Sequence, residues 1–173
     1  SKKAMTEAEL AVLLPKIRPY TDYLYFHLMG APLLHPKLER FLKMAGEHGF
    51  KVILTTNGTL LKKQQEMLLS SPALHKVNIS LHAFEANDLS VPFAQYLSDC
   101  FAFGNASNGK KLVVYRLWNN GREDKQNQEI LDTMHRYFPG NWVKERMGTR
   151  IADRTYLEYG DKFDWPDLSA ADG

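Results

Sequence analysis

The feature that most constrains the fold is a repeated switch of hydrophobic period along the chain, from two residues to 3.6 and back. Thr6-Glu-Ala-Glu9 has the form of a capping box, and Leu10, Leu13, Leu14 and Ile17 follow it on one helical face, with a kink expected at Pro15. Asp22 to Leu28 reads as a strand. Pro36 then opens a helix striped by Leu38, Phe41, Leu42 and Ala45 and closed by Gly49. Lys51 to Thr56 is a second strand, ending in Asn57-Gly58 and followed by a helix from Leu61 to Leu69. Val77, Ile79 and Leu81 alternate with polar neighbours as a third, before a helical face of Phe93, Tyr96, Leu97, Cys100 and Gly104. Lys111 to Leu117 is the fourth strand, Ile130, Leu131, Met134, Tyr137 and Phe138 stripe the next helix, and Arg154 to Tyr159 is the last strand.

Strands and helices alternating at this spacing form right-handed βαβ units around a parallel sheet. About five strands are too few to close a barrel, so the expectation is an α/β fold: a partial, open (β/α) barrel with helices on its convex face. Residues 1–160 form this domain, and 161–173 are a polar tail leading out of it. The chain opens on a helix without a strand before it and ends in polar coil, which is expected of an excerpt from a longer protein.

Composition removes several function classes. Lysines and arginines number 22 against 20 acids, a formal charge of +2, and the basic residues form no block of the kind that binds nucleic acid or a membrane. A single cysteine, Cys100, permits no intrachain disulfide and no cysteine-based metal site, and its position in a helical stripe reads as a buried, inert thiol. The expectation is a cytoplasmic protein. His35 falls at the start of a helix, and His27, His48, His75 and His135 show no metal-ligand spacing with each other.

Parallel α/β proteins bind ligands at the carboxyl ends of their strands. Here those ends carry Met29-Gly30-Ala31-Pro32, Thr55-Thr56-Asn57-Gly58, Ser80 with His82, Arg116 with Trp118 and Asn119, and Glu158 with Gly160. Hydroxyls, amides and a guanidinium suit a zwitterionic, ribose-bearing ligand, and no nucleophile with a base and an orienting group is evident. Each residue also has a structural reading. Gly30 and Pro32 can serve a turn, Thr55 and Asn57 can cap a helix, and His82 can be structural. Arg116, in an apolar strand, needs an anion, either Glu158 or a ligand carboxylate.

Met29-Gly-Ala-Pro-Leu-Leu-His-Pro36 resembles the Gly-Gly-Glu-Pro-Leu-Leu-His-Pro motif of radical S-adenosylmethionine enzymes. Leu54-Thr-Thr-Asn-Gly-Thr-Leu-Leu61 and Val77-Asn-Ile-Ser-Leu-His82 resemble that family's next two strands, in order and at matching separations. The tail Phe163 to Asp172 is similar to the bridge into a C-terminal auxiliary-cluster (SPASM-like) domain. The resemblance implies that the chain is the central barrel of such an enzyme, with S-adenosylmethionine contacted by Gly30, Ala31, Pro32, Thr55, Asn57, Ser80, His82, Arg116 and Asn119. Ser80 falls at the ribose and Arg116 at the carboxylate. It further implies a [4Fe-4S] cluster in the parent protein only, since the family's three-cysteine loop is absent from this chain, and a small-molecule or peptide substrate.

Ala31 stands where the family places a glutamate. Two rival readings follow from the same residues: a non-catalytic scaffold with a degenerate site, or an unrelated β/α lyase or hydrolase using His82, Arg116 and Glu158. The isolated chain is expected to be inactive and to expose the edge of its first strand, which invites dimerisation.

Overall fold

The computed structural model describes residues 5–26, 35–81, 91–117 and 125–160. Helix α1 (Glu7–Ile17) starts at the expected capping box: the Glu9 amide donates to Thr6 Oγ1 at 3.2 Å, and the Thr6 amide donates to Glu9 Oε2 at 2.9 Å. Pro15 lies within the helix. The remaining elements are β1 (Tyr23–Phe26), α2 (Leu38–Glu47), β2 (Lys51–Thr56), α3 (Leu61–Ser70), β3 (Leu74–Ser80), α4 (Phe93–Ser107), β4 (Leu112–Leu117), α5 (Lys125–Tyr137), β5 (Val143–Glu145), β6 (Gly148–Ala152) and β7 (Thr155–Tyr159). Helix α2 begins two residues after Pro36 and is closed, just past its C-cap His48, by Gly49, whose φ of +77° is the left-handed conformation that glycine adopts without penalty.

The strands form one sheet in the order β1-β2-β3-β4-β7-β6-β5. Five of them, β1, β2, β3, β4 and β7, run parallel and in chain order, as the alternating periods require. The sheet departs from the five-strand expectation by an antiparallel hairpin, β5–β6, that continues beyond β7. β5 is exposed at all three positions, so no buried face imposes the apolar alternation by which a strand is read.

Val52, Leu54, Val77, Ile79, Val113, Tyr115, Leu117 and Leu157 point to one face of the sheet. There they pack with Leu10 and Leu14 of α1, Phe41 and Leu42 of α2, Leu61 and Leu68 of α3, Leu97 and Phe101 of α4, and Ile130 and Met134 of α5 in a single core. All five helices therefore cover the same face, and the opposite face is left to other residues. A register shift between Val52 and Ile53 lets Leu74 join the core while Lys76, two residues on, turns to the other face. Among the described residues no helix is long and apolar enough to cross a membrane.

Candidate functional site

Parallel pairing sets side chains in lateral rows, because residues paired across neighbouring strands project to the same face. On the face that no helix covers among the described residues, hereafter the helix-free face, Ser80 pairs with Arg116 and Arg116 with Glu158, giving a row across the carboxyl ends of β3, β4 and β7. The row below is Thr55, Asn78, Val114 and Tyr156, and the next is Tyr25, Ile53, Lys76 and Leu112. Thr55, Ser80 and Arg116 thus lie together on one face. Gly30, Ala31, Pro32, His82 and Asn119 lie outside the described residues, as do residues 161–173.

Arg116 finds the anion that its place in an apolar strand demands: its Nε donates to Glu158 Oε2 at 3.2 Å. The pair is partly open, with the arginine side chain 27% and the glutamate 44% exposed, so solvent screens it and another carboxylate has access to the guanidinium. Lys76 is half-buried nearby. Burial, followed by repulsion from Arg116, holds its ammonium below the usual lysine range, with Glu158 acting in the opposite direction.

Asn57 is used locally. Its Oδ1 accepts from the Thr59 amide at 3.1 Å and from Thr59 Oγ1 at 2.8 Å, while its carbonyl accepts from the Tyr96 hydroxyl at 2.6 Å. The turn is closed by Gly58, whose φ is +83° and whose amide donates to Thr56 Oγ1 at 3.2 Å. A side chain at Gly58 would meet Cys100 Sγ at 2.6 Å. The β2 rim is thereby fixed against α4, and Cys100, fully buried there, has its thiol pushed up to about 12 by burial against a smaller opposing effect of the Tyr96 hydrogen bond.

Two residues of this face are not singled out from the sequence: Lys76, which precedes a third strand read from Val77, and Asn78, which lies within it. Both share the parity of Ser80, which is the signal that finds them. Asn78 is only 4% exposed; its Nδ2 donates to Thr55 Oγ1 at 3.4 Å, and its Oδ1 is buried without a hydrogen-bond partner among the described residues.

The Ser80–Arg116–Glu158 row offers a guanidinium and a hydroxyl, which fits a ligand bearing a carboxylate and hydroxyls. An iron-sulfur cluster does not fit these residues. Cys100 is a lone, buried thiol, and no group of three or more His, Cys, Asp or Glu side chains among the described residues could hold a metal.

No protein-family model matches the chain, and no curated protein matches it in sequence. Solved structures do match in fold. Streptococcus suis SuiB aligns over 98% of this chain and 39% of its own length, with a TM-score of 0.57 and 18% identity. SuiB bound to S-adenosylmethionine aligns over 98% of this chain and 40% of its own, with a TM-score of 0.60 and 17% identity. Archaeal TYW1 aligns over 87% of this chain and 61% of its own, at a TM-score of 0.48 and 14% identity, too slight a likeness to argue from. The chain spans about two fifths of the length of SuiB and shares its fold over that span.

Proposed function

We propose that the chain is the central β/α portion of a radical S-adenosylmethionine enzyme and holds S-adenosylmethionine at the carboxyl ends of its parallel strands. The observation that carries this reading is the lateral row Ser80, Arg116, Glu158 on the helix-free face. In it a hydroxyl stands beside a guanidinium that is only partly neutralised. Three family-like motifs in order and the fold shared with SuiB, one structure of which contains S-adenosylmethionine, support it.

In this reading Arg116 receives the cofactor carboxylate, competing with Glu158, and Ser80 meets the ribose. Thr55 and Asn57 line the β2 end, with Asn57 contributing through the turn it stabilises. Gly30, Ala31 and Pro32 serve the methionine end, and His82 and Asn119, which follow β3 and β4 in sequence, complete the contacts. When bound, the cofactor would supply the radical chemistry of the family, through a cluster whose ligands would lie outside these 173 residues. The chain's own task is to bind, orient and shield. Ala31 in place of glutamate removes one charge-assisted bond to the cofactor ammonium.

Isothermal titration of the chain with S-adenosylmethionine tests the proposal. Arg116→Met should weaken binding about tenfold or more, the loss expected for a charged hydrogen bond of roughly 1.5–3 kcal/mol. Ser80→Ala should weaken it by about 0.5–1.5 kcal/mol. Absence of binding by the wild-type chain, or unchanged affinity in both variants, would overturn the reading.

A further inference from the structure

In the two rows below Ser80 and on the same face, the sheet carries a cation and a buried amide oxygen that the cofactor site leaves unused. Lys76 makes no ion pair among the described residues, while Arg116, its neighbouring cation, is paired with Glu158. Two positive groups and one negative group leave the patch with one uncompensated positive charge, on a half-buried ammonium where burial makes that charge costly. Between Lys76 and Ser80 lies Asn78, nine-tenths buried, with its Nδ2 on Thr55 and its Oδ1 unpartnered among the described residues. Native proteins rarely leave such an acceptor unmet, and a binding site is one setting in which they do. Buried Ile53 and Val114 flank the two polar groups in the pairing register, so a charge brought here is weakly screened.

We propose that Lys76 and Asn78 form the seat for an acidic residue of a peptide substrate, its carboxylate on the Lys76 ammonium and its backbone N–H on Asn78 Oδ1. This deepens the cofactor reading above and rests on it. The spacing suits the ligand. Two strand residues separate the Cα atoms of Lys76 and Asn78 by about 6.6 Å, close to the reach between the amide nitrogen and the carboxylate of one glutamate. Four strand residues set Lys76 about 13 Å from Ser80, room for one substrate residue between the acidic anchor and the cofactor ribose. A phosphate suits the pair less well, because an acceptor-only group would face the Asn78 carbonyl oxygen.

The test uses the full 173-residue chain and three probes: the blocked tripeptides Ac-Ala-Glu-Ala-NH2 and Ac-Ala-Gln-Ala-NH2, and glutarate. Each is titrated by NMR with and without S-adenosylmethionine. The glutamate peptide should bind about tenfold more tightly than the glutamine peptide, the preference expected from one charge-assisted contact. Lys76→Gln should abolish that preference and Lys76→Arg should keep it, while S-adenosylmethionine affinity stays the same in both. Equal binding of the two peptides, no binding of either, or a preference that survives Lys76→Gln would overturn the proposal. Glutarate binding as tightly as the glutamate peptide would overturn the peptide assignment and point to a free dicarboxylate. A wild-type chain that keeps the glutamate preference but fails to bind S-adenosylmethionine would support the acidic seat and remove the cofactor reading.

Discussion

Gly58→Ala probes how the β2 rim is held. The turn needs φ of +83°, and a Cβ there would lie 2.6 Å from Cys100 Sγ, 3.3 Å from Ile79 Cγ2 and 3.4 Å from the Tyr96 hydroxyl. Left-handed backbone at a non-glycine residue costs about 1–2 kcal/mol. Forcing a methyl into a packed core adds about 1–3 kcal/mol. The variant should therefore lose about 2–5 kcal/mol, which for a domain of this size lowers Tm by roughly 4–20 °C. The two contributions separate in a double-mutant cycle, because Cys100→Ala removes the sulfur that the new methyl meets most closely. Urea melts of wild type, both single variants and the double variant should give a favourable coupling of about 1–3 kcal/mol, leaving the backbone cost behind. A Gly58→Ala variant within about 0.5 kcal/mol of wild type, or strictly additive effects in the cycle, would refute the reasoning.

Three further outcomes are expected. Asn78→Leu should be neutral or stabilising by up to about 1–3 kcal/mol in urea melts, since it removes a buried, unmet acceptor, and it should weaken glutamate-peptide binding. The Cys100 thiol, pushed up to about 12 in the fold by burial, stays protonated while the unfolded thiol ionises near its reference value of 9.0. Its contribution is intact below pH 9 and falls as pH rises, by about 1.4 kcal/mol per unit, until the folded thiol itself titrates. Lys76 and Lys111, held low by burial, act in the opposite sense, so the stability of wild type minus that of Cys100→Ala, followed from pH 8 to 11, isolates the thiol. Ala31→Glu should tighten S-adenosylmethionine binding about tenfold by titration, through one added charge-assisted hydrogen bond.

The parallel sheet was legible because each strand and each following helix wrote its own period into the sequence. Val77, Ile79 and Leu81 announce the core face of β3 as plainly as Phe41, Leu42 and Ala45 announce that of α2. The β5–β6 hairpin was not legible. Val143, Lys144 and Glu145 are all exposed, and the two-residue turn of Arg146 and Met147 has none of the residues that mark a tight hairpin. Arg116 was readable as a residue in need of an anion, and Glu158 was one of its two readable partners. Lys76 keeps the alternation with Asn78 and Ser80, but the register shift ahead of it breaks the alternation with Leu74, so the apolar pattern of β3 reads as starting only at Val77. Asn57 could not be decided from residue type. Asparagine before glycine serves a turn or a ligand equally well, and its contacts with Thr59 are what commit it to the turn.

The central claim is that S-adenosylmethionine binds across the carboxyl ends of β2, β3, β4 and β7. Amide chemical-shift mapping of the 15N-labelled chain during a titration with S-adenosylmethionine tests it most directly. The account predicts shifts concentrated at Thr55, Ser80, Arg116 and Glu158, saturating together on one binding curve. Shifts centred on Lys51, Leu74, Leu112 and Thr155 at the other ends of the same strands, or no saturable shifts at all, would contradict it.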